Sequence, residues 1–186
     1  MEMDFDNIRQ TMGAISEQRL TECALQIANA RRIWIMGMRS GEGLAIHAYH
    51  YLNLMRSDVQ VMDVVGGGLS RHLAEFAPGD LLMIIAFRRR PKVLKRFLDA
   101  AQDAGAQTIL ITDLSAAASA RTANITLRCR TQSPAPFNTF SAAVTLINCL
   151  AWQVHTTLGA AAVERYRRID GFVQEFDDIS MPLAYE

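Results

Sequence analysis

Five short, largely apolar runs recur along the chain: Ile33 to Met36, Val59 to Met62, Leu81 to Ala86, Thr108 to Thr112 and Ile125 to Cys129. A strand that is apolar on both faces must be covered on both, the condition met by a parallel sheet between two layers of helices. Segments with helical spacing fill the intervals: Leu44 to Met55, Leu69 to Phe76, Val93 to Ala104 and a short piece around Ser115 to Arg121. The rhythm predicts a three-layer α/β/α sandwich. In the fifth run Ile125, Leu127 and Cys129 alternate with Thr126 and Arg128, which suits an edge strand with one wetter face. Helical spacing also marks the flanking segments, from Asp6 to Ala30 and from Asn138 to about Phe176.

With 186 residues, half of them hydrophobic and a fifth charged, the chain suits one globular domain with a substantial core. Residues 1–30 are expected to form a helical N-terminal linker segment and residues 31–186 the α/β domain. Nineteen basic against nineteen acidic residues leave no net charge, so this chain is not expected to grip DNA by itself. Cys23, Cys129 and Cys149 are odd in number and contain no Cys-x-x-Cys pair, and so are expected as packed thiols of a reducing compartment. No metal or cofactor is expected. The acidic opening Met1 to Asp6 lacks the features of an export signal, and Leu81 to Phe87, the longest apolar stretch, is far too short to span a bilayer. A cytoplasmic protein with no membrane partner is expected. The closing helix carries Phe140, Ala143, Val144, Leu146, Ile147, Leu150 and Trp152, more apolar surface than one sheet layer can cover, and this predicts a homodimer.

Ligands of open parallel sheets settle outside the carboxyl ends of the strands. After the first run come Gly37-Met38-Arg39-Ser40-Gly41, after the second Gly66-Gly67-Gly68, after the third Arg88-Arg89-Arg90-Pro91-Lys92, and after the fourth Asp113-Leu114-Ser115. Turned amides, hydroxyls and guanidinium groups at one sheet edge suit an anionic or polyhydroxyl ligand. Glu42, His47, His50, His72 and Glu75 are the candidates for acid–base chemistry. His47 with His50, and His72 with Glu75, are each three apart and so share a helix face, a spacing that equally describes ordinary surface residues. No P-loop, zinc signature or Ser-His-Asp order is present.

The Gly-Met-Arg-Ser turn, the unit Asp80 to Phe87, the unit Gly105 to Asp113 and the closing Phe137-Asn138-Thr139-Phe140-Ser141-Ala142-Ala143 together resemble a sugar isomerase (SIS) domain, and in particular the effector-binding domain of RpiR/MurR-type bacterial transcriptional regulators. The resemblance extends over nearly the whole chain. It implies a five-stranded parallel sheet of flavodoxin-like type, a tight homodimer or dimer of dimers, and a phosphosugar-type ligand at the strand ends, where the residues expected to bind it are Gly37, Arg39, Ser40, Gly66, Gly67, Arg88, Arg89, Arg90 and Asn138. Contact with DNA would come only through a helix-turn-helix domain absent from this chain. Many family members carry a Ser-x-Ser-Gly-x-Thr phosphate cradle after the third strand, where this chain has Ala86-Phe87-Arg88-Arg89-Arg90-Pro91, one residue shorter. The substitution keeps an anion in view while opening the ligand class to sugar acids and other small carboxylates. The expected function is effector sensing in a regulator, the alternative a stand-alone sugar-phosphate aldose–ketose isomerase, and a third option a dimerisation module.

Overall fold

The computed structural model describes residues 1–62, 69–88 and 93–179. Five parallel strands form one sheet: β1 (Ile33–Met38), β2 (Val59–Val61), β3 (Leu81–Ala86), β4 (Gln107–Asp113) and β5 (Ile125–Cys129), in the order β2-β1-β3-β4-β5. The chain folds as the doubly covered α/β architecture read from the sequence, with β5 at an edge. The central β1 and β3 run in register from Ile33 opposite Leu81 to Met38 opposite Ala86, and all six residues of each are buried.

Alternation along the buried strands divides the core in two. Ile33, Ile35, Leu81, Met83, Ile85, Ile109, Ile111 and Leu127 face helices α2 (Glu17–Asn29), α3 (Glu42–Met55) and α7 (Ser141–Leu158). Trp34, Met36, Leu82, Ile84 and Leu110 face the other layer, where α5 (Val93–Asp103) contributes Leu94, Phe97, Leu98 and Ala101. That spacing is one face of a helix, which is why α5 can bury one stripe and leave the rest in water. Helices α4 (Leu69–Glu75) and α6 (Ala118–Thr122) complete the second layer.

The flanking segments each break where the sequence was read as continuous. The first divides into α1 (Glu2–Ala14) and α2 at an extended Ile15, and the Ser16 hydroxyl caps α2 by accepting from the Arg19 backbone N–H at 3.2 Å. The last divides into α7 and α8 (Ala160–Ile179) at Gly159, whose φ of 55° interrupts the helix. Both α1 and α2 pack on α7, so the apolar surface of α7 is largely covered within the chain, with Ala142, Ala143, Leu146, Ile147, Leu150 and Val154 buried. Large apolar side chains are instead exposed as Trp152 on α7, Ile46 and Tyr51 on α3, and Val163, Tyr166, Phe172 and Val173 on α8.

At the amino edge of the sheet the buried Asp80 carboxylate accepts from Trp34 Nε1 at 3.1 Å and from the Ala77 amide at 3.2 Å, and Arg31 Nε meets it at 2.9 Å. At the carboxyl edge the chain leaves β1 through a 3-10 turn, Arg39–Gly41, wedged against the end of β3. A Cβ on Gly41 would lie 2.1 Å from the Ile85 carbonyl oxygen, and one on Gly37 would lie 2.5 Å from Glu42 Cα. Backbone contact this close fixes the direction in which α3 departs. Gly41→Ala is therefore expected to cost about 1–3 kcal/mol by overpacking, lowering the melting temperature by about 2–12 °C. Gly43→Ala, where the added Cβ meets nothing within 4 Å, should leave it unchanged or slightly raised; a thermal melt of both variants checks the pair.

Candidate functional site

The strand order places a switch point between β1 and β3, from whose ends the chain departs in opposite directions to form the crevice typical of such sheets. A depression of about 230 Å³ is lined by Ser40 from the turn after β1, Arg88 after β3, and Pro136, Phe137, Asn138 and Phe140 from the segment leading to α7. Arg88, Pro136, Phe137 and Asn138 also line a neighbouring cleft of about 690 Å³, which runs past Asp113 and Ser115 at the end of β4 to Arg130 and Gln132 beyond β5. A cleft of that size falls in the range of small-molecule sites.

Buried hydrogen bonds hold the rim. The Asp113 carboxylate, 6 % exposed, accepts from the Arg88 backbone N–H and from the Ser115 amide and hydroxyl, tying the segments after β3 and β4 together. Thr112 Oγ1 donates to the Ala86 carbonyl at 2.6 Å and fastens the same two strands one residue earlier. Arg39, on the turn, has φ 57°, a left-handed conformation that costs a non-glycine residue about 1–2 kcal/mol. The wall formed by residues 130–141 is anchored from behind by α1, whose Asp4 accepts from Thr139 and Ser141 at 2.6 and 3.1 Å. Those two hydrogen bonds, Thr139 first, hold the Asp4 carboxyl below its ordinary pKa.

Of the nine residues expected to bind ligand, the structure brings Ser40, Arg88 and Asn138 to one depression. Arg39 is exposed beside it and lines neither cleft, and Gly37 is buried with a packing role at the turn. Gly66, Gly67, Arg89 and Arg90 lie outside the described residues. The candidate acid–base groups are elsewhere. His47 Nε2 is 2.7 Å from Asn148 Oδ1 between α3 and α7, His72 stands edge-on to Trp34, and Glu75 pairs with Arg32 at 3.1 Å by the amino edge of the sheet. Glu42 and His50 are exposed and line neither cleft. Sequence reasoning missed Arg130 and Gln132 because it followed only the first four strand ends, although the end of the fifth carried the same signal.

Comparison with known proteins bears directly on this geometry. The profile of the SIS domain matches residues 26–152, well over half of the chain. The chain belongs to the SIS domain family. No curated protein matches it in sequence. Among solved structures, the sugar isomerase domain of an RpiR transcription factor from Sphaerobacter thermophilus superposes with a TM-score of 0.85 at 22 % identity, covering 91 % of this chain and 94 % of that one. The NanR protein of Vibrio vulnificus, solved in complex with ManNAc-6P, gives 0.73 at 14 % identity over 100 % of this chain and 68 % of its own. A phosphoheptose isomerase from Francisella tularensis gives 0.70 at 17 % identity over 83 % of this chain and 94 % of its own. At these identities the likeness is one of fold, shared by a transcription factor and an isomerase.

Cys129 lines the larger cleft yet is fully buried, and burial, with the Asp113 charge adding to it, pushes its thiol up to about 12. Burial raises Cys23 to about 12 as well. A thiol whose folded pKa is raised favours the folded chain fully below its unfolded value of about 8.5, and that contribution is lost as the pH rises toward the folded value. Cys23 and Cys129 are accordingly expected to resist iodoacetamide at pH 8 in the folded protein and to react in guanidinium chloride, as peptide mass spectrometry would record.

Proposed function

We propose that this SIS domain is the effector-sensing part of an RpiR-type transcriptional regulator and that its effector is a phosphosugar or a sugar acid. The observation that carries the reading is the meeting of Ser40, Arg88 and Asn138 at the β1/β3 switch point. A hydroxyl, a guanidinium and a carboxamide are a donor set for an anionic group on a polyhydroxyl body. Arg130 adds a second guanidinium in the adjoining cleft.

Sensing is favoured over isomerisation by what lines these clefts. Among their described residues there is no histidine and no glutamate, and Asp113, the one carboxylate, already accepts from Arg88 and Ser115. An aldose–ketose isomerase needs a base within reach of the substrate carbon. The fold likeness to NanR, solved with a hexosamine phosphate, agrees with a phosphosugar effector.

A homodimer accompanies this reading, supported by the exposed Trp152, Ile46 and Tyr51 and by the apolar side of α8. Light scattering at micromolar concentration should give twice the chain mass, and a monomer there would remove the dimer, since large obligate interfaces of about 2,000 Å² or more do not dissociate at that concentration.

A thermal-shift screen of phosphosugars, sugar acids and small carboxylates tests the effector. A ligand at about a hundred times its Kd adds about 2.7 kcal/mol, which for a domain of this size raises the melting temperature by about 5–11 °C. Ser40→Ala and Arg88→Ala should each reduce the shift while changing the unliganded melt little. A shift undiminished in both variants places the ligand elsewhere, and turnover of an aldose phosphate to its ketose would establish the isomerase instead.

A further inference from the structure

Helix α1 is held to the domain in an unusual way. Its two buried residues are Asn7 and Thr11, each 1 % exposed, where a packing helix would ordinarily place leucine or alanine. Asp4, Asn7 and Thr11, spaced by three and four, share one face of the helix. All three bond to the segment that walls the ligand clefts. Asp4 accepts from Thr139 and Ser141, Asn7 Nδ2 donates to the Gln132 carbonyl at 2.7 Å, and Thr11 Oγ1 accepts from the Arg130 amide at 2.9 Å. Arg130 and Gln132 line the larger cleft, Asn138 lines both, and Met3 of α1 reaches the larger one itself.

Buried polar groups are costly unless every partner is in place. The docking of α1, which also packs on α7, is therefore sensitive to the conformation of residues 130–141, and a ligand between Ser40, Arg88 and Asn138 would touch Pro136, Phe137, Asn138 and Phe140 of that same segment. We infer that α1 is the output element of the ligand site: a bound ligand fixes the 130–141 wall in the arrangement that α1 recognises and tightens the helix against it. By linkage, breaking the α1 contacts weakens the ligand by the same factor. Asp4, Asn7 and Thr11 are thus positioning residues that act through the wall. The inference rests on the reading of the clefts as a ligand site, and its test separates the two.

The experiment is hydrogen–deuterium exchange on the whole chain, comparing the parent with Thr11→Val, which keeps the shape and removes the acceptor, and Thr11→Ser, which keeps the acceptor. Without ligand, Thr11→Val should speed exchange of residues 130–139 about tenfold, a change of 1.4 kcal/mol, and Thr11→Ser should stay near the parent. Faster exchange confined to α1, with the wall unchanged, overturns the inference. Should Thr11→Val raise exchange throughout the chain, Asp4→Ala at the half-exposed end of the stripe, which removes the acceptor of Thr139 and Ser141, replaces it, with the same pattern expected and the same result overturning it.

With N-acetylmannosamine 6-phosphate as the probe, exchange of α1 should slow at least about fivefold and the Kd in Thr11→Val should rise by a similar factor. Protection of residues 86–88 and 136–140 with α1 unchanged overturns the coupling and leaves the site standing. If those residues gain no protection, this probe is not the effector, and the ligand-free comparison alone decides the role of α1.

Discussion

A strand buried on both faces can present polar chemistry only at its ends. In β1 and β3 every side chain is enclosed, so the polar groups these two strands bring to the carboxyl edge come from the few residues that follow Met38 and Ala86. Those residues are brought together by backbone contact: Gly41 rests on the Ile85 carbonyl with no room for a methyl group. The position of Ser40 relative to Arg88 is thereby set by the sheet itself, with little left to loop conformation. Preorganisation of this kind lowers the ordering cost of binding, which a small ligand with few contacts could not otherwise offset.

The two edges of the sheet have opposite characters. At the amino edge Asp80 gathers Arg31, the Trp34 ring nitrogen and the Ala77 amide around one buried carboxylate, a closed arrangement that satisfies its charge internally. At the carboxyl edge Asp113 also accepts from the chain, its donors including the backbone of Arg88 and the groups of Ser115. The carboxylate orders the rim while the Arg88 side chain stays at the exposed surface. One edge is closed on itself and the other opens into the two clefts.

The sheet was legible in the sequence because its signal is dense: apolar runs such as Leu81 to Ala86 can be satisfied only between two helical layers. The candidate binding edge was read from the segments that follow the strands, and the structure brings Ser40 and Arg88 of those segments to one depression while leaving Arg39 outside it. What escaped were features set by long-range pairing. Nothing local marks Ile15 as a helix break until Ser16 is seen capping α2, and the apolar surplus of α7 looks unpartnered until α1 and α2 are folded onto it. The stripe Asp4, Asn7, Thr11 reads as an exposed polar face, because its partners lie more than a hundred residues away.

That stripe also sets the angular phase of α1. An apolar stripe can slide or roll by a fraction of a turn and keep most of its burial, whereas four directional hydrogen bonds from three side chains admit one setting about the helix axis. Each residue advances a helix by about 100°. A single insertion between Asp4 and Thr11 would swing Asp4 away from Thr139 if Thr11 kept its hold, with no neighbouring register to fall into. Chain joined to the amino end of α1 inherits that orientation, so the helix can transmit a direction as well as a position.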